Sequence, residues 1–134
     1  MFKIAGIDHI VLRTTKLPAM INFYCDILGC CIERKTAEDI GLTQLRVGNS
    51  LIDLVVVDSQ LGALGGGAPT LTENNLDHFC LQLQPISAAE IRQYLLSHGV
   101  SVDDFSKRYG AQGFGPSLYI KDPEGNTVEL KSQV

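Results

Sequence analysis

The sequence predicts an α+β fold built from two βαβββ modules, and three observations predict it. The phrase Ile7-Asp8-His9-Ile10-Val11-Leu12 returns as Leu76-Asp77-His78-Phe79-Cys80-Leu81, keeping an apolar residue, an aspartate, a histidine, two apolar residues and a leucine in order. Each copy leads into a helical stretch that ends in glycine, at Leu28-Gly29 and at His98-Gly99. Each half then closes on a strand carrying one carboxylate among apolar residues, Asp53 in the first and Glu129 in the second. A repeat on this scale marks two copies of one supersecondary unit.

The first strand is expected over residues 4 to 14. Pro18 suits a first helical turn, where its missing N–H costs nothing. Met20, Phe23, Tyr24, Ile27 and Leu28 then recur at helical spacing as an apolar stripe, with Gly29 as the C-cap. Residues 30 to 35 and 42 to 47 read as short strands, and Gly48-Asn49 as a turn into the strand from Ser50 to Val57. Module one is therefore expected over residues 4 to 57. Residues 58 to 75 carry Gly62, Gly65-Gly66-Gly67, Pro69 and Asn74-Asn75, a composition expected to form a flexible linker without a periodic element.

Module two is expected over residues 76 to 131. Its first strand spans 76 to 84. Ser87 and Glu90 form a capping box before a helix whose stripe is Ala88, Ile91 and Leu95, ended by Gly99. A short strand is expected from Val100 to Asp103, a glycine-rich loop from Ser106 to Pro116, and a strand from Ser117 to Lys121. The turn Asp122-Pro123-Glu124-Gly125-Asn126 has strong turn chemistry and leads into the strand from Thr127 to Lys131.

Composition narrows the function. At 134 residues the chain suits one core shared by two half-size modules. Hydrophobic residues at 45 % and charged residues at 19 % are those of a globular protein. No apolar run approaches the roughly 20 residues that cross a bilayer, so no membrane partner is expected. A net charge of -4 offers no basic footprint, so none is expected for nucleic acid either. The start Met1-Phe2-Lys3-Ile4 lacks a signal-peptide pattern, and the expected location is cytoplasmic. Cys25, Cys30, Cys31 and Cys80 show no C-x-x-C spacing and are expected as reduced thiols, with Cys80 a small apolar filler.

Alternation along a strand puts His9 on a face with Val11 and Arg13, and His78 with Cys80 and Gln82. Asp53 and Glu129 sit among apolar neighbours, where an ionised carboxylate is costly unless paired or metal-bound. For Glu129 the alternative is a solvent-facing residue on an edge strand; for each histidine alone it is a satisfied core imidazole. Two equivalent histidines and two equivalent carboxylates are what a metal site joining two related modules requires. Two histidines and a carboxylate form the facial set of non-haem iron, and a further oxygen ligand suits nickel, zinc, cobalt or manganese. His98, in the last helical turn, reads as structural surface.

The segments Asp8-His9-Ile10, Phe23-Tyr24-Cys25-Asp26-Ile27-Leu28-Gly29, Leu76-Asp77-His78 and Tyr119 to Leu130 together resemble the vicinal oxygen chelate superfamily. That superfamily includes glyoxalase I, bleomycin-resistance proteins, fosfomycin-resistance enzymes and extradiol dioxygenases. The resemblance implies a single domain in which paired βαβββ modules form a cupped mixed sheet around one divalent ion of nickel, zinc, iron, cobalt or manganese. It implies His9, His78 and Glu129 as ligands. Asp53 stands where glyoxalase I carries glutamate, and its shorter side chain implies a weaker or water-mediated contact. The stretch Arg108-Tyr109-Gly110-Ala111-Gln112-Gly113 with Ser117-Leu118-Tyr119 looks most like an uncharacterised glyoxalase-domain-containing subgroup, which implies Arg108, Ser117 and Tyr119 near a small-molecule substrate. Family members usually self-associate, implying a homodimer.

The expected activity is that of a metal-dependent lyase or isomerase resembling lactoylglutathione lyase. Glu129 or Asp53 shuttles a proton, Tyr119 donates to developing charge, and Arg108 holds an anionic part of the substrate. The alternatives are a metal-free drug or metabolite binder of bleomycin-resistance type and an extradiol dioxygenase-like protein. A regular hairpin closed by residues 122 to 126 sets Tyr119 opposite Glu129.

Overall fold

The computed structural model describes residues 1–133. The chain divides into two compact units, Met1–Thr70 and Leu71–Val134. In the first, β1 (His9–Thr14) leads into α1 (Leu17–Ile21), followed by β2 (Cys31–Lys35), β3 (Leu42–Val47) and β4 (Ser50–Val56). The second repeats this order with β5 (Phe79–Gln82), α2 (Ala88–Ser97), β6 (Ser106–Gly110), β7 (Gly113–Lys121) and β8 (Thr127–Lys131). Both are βαβββ modules. Their sheets have matching orders, β1-β4-β3-β2 and β5-β8-β7-β6, with the first strand parallel to the last and the other pairs antiparallel.

This topology follows from the connections. Adjacent strands joined by Gly48-Asn49 or by the turn at 122–126 pair antiparallel, whereas β1 and β5 are each followed by a helix, and a helical crossover permits parallel pairing. The carboxylate of each unit thus sits on an interior strand, β4 or β8.

In unit one Leu12, Met20, Phe23, Tyr24, Leu45, Ile52 and Leu54 are buried, with Phe23 and Tyr24 meeting edge to face at 4.9 Å. Each such side chain contributes roughly 1.5–3 kcal/mol on burial. The helix does not stay α throughout. From Asn22 to Ile27 it widens to a π-helix, with Leu28 N–H donating to Phe23 O at 3.0 Å. The added residue per turn keeps Phe23 and Tyr24 both inward. Gly29, at φ 86°, then reverses the chain where a side chain would be strained.

Unit two buries Ile91, Leu95, Leu118, Ile120, Val128 and Leu130. The capping box forms: Ser87 Oγ accepts from Glu90 N–H at 3.2 Å, and Glu90 Oε2 accepts from Ser87 N–H at 3.1 Å.

Four expectations are corrected. The first strand begins at His9, not residue 4: the turn at 48–49 ends β4 at Ser50, so the backbone before Asp8 has no strand to pair with, and Ile4 and Ile7 are exposed. Similarly β5 covers only Phe79–Gln82, leaving His78 just ahead of it. Val100 to Asp103 is not a strand; the second strand of the module is β6, inside the stretch expected as loop, and β6 and β7 form a tight hairpin turning at Gly113 with φ 85°. The linker is not free of structure either, since Gly62–Gly65 forms one 3-10 turn. Arg13 holds that turn, donating to the carbonyls of Gly62, Gly66 and Gly67 at 3.0, 2.7 and 2.7 Å.

Among the described residues no helix is long and apolar enough to cross a membrane.

Candidate functional site

Each unit places a histidine and a carboxylate in the same relation. In unit one Val11 pairs with Asp53 on the neighbouring parallel strand; in unit two Cys80 pairs with Glu129. His9 and His78 each lie two residues earlier, on the same face as the paired residue and its carboxylate. The sheets bury both carboxylates, leaving Asp53 4 % and Glu129 5 % exposed. Glu129 therefore lies in an interior strand and does not face solvent.

The aspartate preceding each histidine orients it. Asp8 Oδ1 lies 2.6 Å from His9 Nδ1, and Asp77 Oδ2 lies 2.7 Å from His78 Nδ1. An ionised carboxylate only accepts, so Nδ1 carries a proton and Nε2 is the nitrogen left for another partner. A carboxylate on the far nitrogen is the usual support for a metal-ligating imidazole. The Asp8 hydrogen bond holds the His9 imidazole above its ordinary pKa; desolvation opposes this, and the charge of Asp53 assists it.

Unit two gathers the remaining predicted residues. His78 Nε2 stands 3.2 Å from Glu129 Oε1. Tyr119 faces Glu129 directly across β7 and β8, as a regular hairpin requires, and its ring meets His78 edge-on at 5.1 Å. The Arg108 guanidinium lies over the Tyr119 ring at 4.5 Å, and its Nη1 donates to Ser117 O at 2.7 Å and Ser117 Oγ at 2.9 Å. Desolvation and the Glu129 charge hold the Tyr119 phenol above its usual value, against the opposing effect of Arg108. A phenol so held remains a donor at neutral pH. Cys80 is exposed, not the buried filler expected; desolvation first and Glu129 next push its thiol up to about 12, so it is no thiolate nucleophile.

Gln44 was not singled out by the sequence. It faces Asp53 across β3 and β4 and donates from Nε2 to both carboxylate oxygens at 3.2 Å. It is the counterpart of Tyr119, and counting outward from the Gly48-Asn49 turn would have found it. His98, by contrast, closes α2 with Nδ1 donating to Tyr94 O at 2.9 Å, in the structural surface role expected.

In unit two an imidazole with Nε2 free of its supporting aspartate and a buried carboxylate are donors of the kind a divalent first-row ion takes, and unit one holds the equivalent pair. His9 and Asp53 belong to unit one, His78 and Glu129 to unit two. Among the described residues no group of three or more histidine, cysteine, aspartate and glutamate side chains stands together to hold a metal.

Residues 6–130 match the model of the Glyoxalase/Bleomycin resistance protein/Dioxygenase superfamily. The chain belongs to that superfamily. It is 31 % identical over 126 residues to biphenyl-2,3-diol 1,2-dioxygenase 3 of Rhodococcus globerulus, covering 92 % of this chain but 60 % of that protein. The chain thus spans about 60 % of this relative's length. Among solved structures, Virulence protein STM3117 from Salmonella typhimurium is similar at TM-score 0.73 and 26 % identity, covering 99 % of this chain and 100 % of that one. An integron cassette protein from the mobile metagenome of V. cholerae also reaches 0.73, at 27 % identity and 100 % and 99 % coverage.

Proposed function

We propose that this chain is a metal-dependent lyase or isomerase acting on a small molecule with two neighbouring oxygens, of the type represented by lactoylglutathione lyase. The observation that carries this reading is the Asp77-His78-Glu129-Tyr119 arrangement: an imidazole oriented by one carboxylate, set 3.2 Å from a second, buried one, with a phenol across the ladder. On this reading His9, His78 and Glu129 would serve as ligands of a divalent ion, with Asp53 a weaker or water-mediated participant, and the ion would supply Lewis acidity to the two substrate oxygens.

The chain's own residues perform the rest. Asp8 and Asp77 fix the imidazole tautomers, Tyr119 donates a hydrogen bond to developing oxyanion charge, and Arg108 and Ser117 orient the substrate beside it. Glu129 and Asp53 are the groups available to move a proton. Gln44 holds Asp53 in place through its two Nε2 hydrogen bonds. The edge strands β1, β2, β5 and β6 favour self-association into a homodimer, since open edges are normally covered.

Metal analysis of protein purified without an affinity tag tests the reading. His78→Ala is expected to abolish stoichiometric metal and Asp53→Ala to lower it partly; unchanged metal in His78→Ala overturns the assignment. A second reading, ring-cleaving oxygenation, is favoured by the 31 % identity to a biphenyl-diol dioxygenase. Oxygen consumption with biphenyl-2,3-diol on iron-loaded protein separates the two.

A further inference from the structure

Beyond the residues already placed in the site, its face in unit two carries a lysine with no evident structural duty. Lys131 follows Glu129 by two residues in β8, so its side chain leaves the sheet on the same face. It pairs with Ser117, the residue to which Arg108 donates. Lys131 is 2 % exposed, yet among the described residues no carboxylate lies within 4.0 Å of either its ammonium or the Arg108 guanidinium. A buried cation without a partner is costly, and a second cation nearby raises that cost.

Two glycines make room for it. A Cβ at Gly115 would lie 2.4 Å from the backbone oxygen of Ser132 and 3.1 Å from Lys131 Nζ, and one at Gly110 would lie 3.3 Å from Lys131 Cδ and 3.4 Å from Cε. Gly115 is the ladder partner of Arg108. The lysine therefore lies across bare backbone, and its ammonium reaches the point from which Arg108 rises. The glycines that made residues 106 to 116 look like a loop form the floor beneath two cations that, among the described residues, have no carboxylate within salt-bridge distance.

We infer that Lys131, Arg108 and Ser117 form an oxyanion-binding subsite, and that the substrate is a small acid bearing a carboxylate, phosphate or phosphonate. This rests on the reading of the Tyr119-Glu129 face as the substrate site. Ser117 and Lys131 lie one same-face step along the strands from Tyr119 and Glu129, about 7 Å. The acid group is held at that distance from the reacting oxygens. Arg108 uses Nη1 on Ser117 and keeps its other N–H donors for the anion; Lys131 supplies a second full charge.

The test is calorimetric titration of the full chain with inorganic phosphate and, separately, acetate, at constant ionic strength set with chloride. It is repeated on Lys131→Met, Lys131→Arg and Lys107→Met. Lys107 makes a charge-matched control because it alternates to the opposite face, where its ammonium lies over Phe114. At least one anion is expected to bind, with affinity falling tenfold or more in Lys131→Met, largely retained in Lys131→Arg, and unchanged in Lys107→Met. The anion that binds more tightly identifies the oxyanion. Without anion, Lys131→Met is expected to melt no lower than the parent, and added anion to raise the melting temperature of the parent only. Binding of neither anion, equal binding by Lys131→Met, or equal weakening in both methionine variants overturns the inference. Repeating the titration after chelation and in His78→Ala separates the two proposals: anion binding there supports the subsite whatever the metal content, whereas metal loss alone bears only on the ligand assignment.

Discussion

Gln44 and Tyr119 occupy the same ladder position in their modules, one opposite Asp53 and the other opposite Glu129. The two differ in chemistry. Gln44 spends both hydrogen bonds on Asp53, whereas Tyr119 packs against His78 and beneath Arg108. Gln44→Leu is therefore expected to destabilise unit one by about 1–3 kcal/mol by leaving a buried carboxylate unsatisfied. Tyr119→Phe is expected to lower the melting temperature less than Gln44→Leu, because His78 Nε2 still faces Glu129, and to lower turnover. Thermal unfolding of both variants, with kinetics of the second, checks the contrast.

Asp8 and Asp77 are almost fully exposed, with side chains 90 % and 95 % accessible, and each touches its histidine. Asp8→Asn and Asp77→Asn are expected to fold normally while weakening metal affinity by about 10–100-fold. Competition with a metal-binding dye measures this, and unaltered affinity in both would remove the orienting role.

The Arg13 latch predicts local unfolding. Arg13→Met loses three hydrogen bonds to glycine carbonyls, so amide exchange and protease cleavage across residues 62–67 are expected to rise while β3 and β4 stay protected. Gly65→Ala is expected to do the same, because a Cβ there would fall 2.3 Å from Arg13 Nε.

The α2 cap is expected to be pH-sensitive. Hydrogen bonds from the Ser87 side chain and then its backbone hold Glu90 below the usual carboxylate range. A depressed folded pKa means stability present above the unfolded value of 4.5 and lost as pH falls through the folded one. Ser87→Ala is expected to cost about 1 kcal/mol at neutral pH. The gap between the parent and Ser87→Ala in denaturant titrations should narrow in acid, the Ser87 Oγ bond to the Glu90 N–H keeping a remainder; a constant gap across pH would exclude the linkage.

What the sequence determined by itself is whatever a few neighbouring residues encode. The repeated Asp-His phrase and the order of strands and helix led to paired βαβββ modules and to superfamily membership. The turn at 122–126 determined that Tyr119 faces Glu129, because Asp122 Oδ1 accepts from the N–H groups of both Glu124 and Asn126 at 2.9 Å, and a locally closed turn transmits register outward. Only the tertiary structure decided the rest. The glycines of 106 to 116 signal a loop locally, yet lie in the paired strands β6 and β7, where Lys131 and the Ser132 carbonyl occupy the space a Cβ would take at Gly110 and Gly115. The 58–75 stretch has no periodicity of its own, and its turn is held by Arg13 from β1. Gln44 is an ordinary polar residue until β3 sets it against Asp53. In each case the partner lies on another strand, and its identity depends on sheet register, which hydrophobic periodicity alone does not contain.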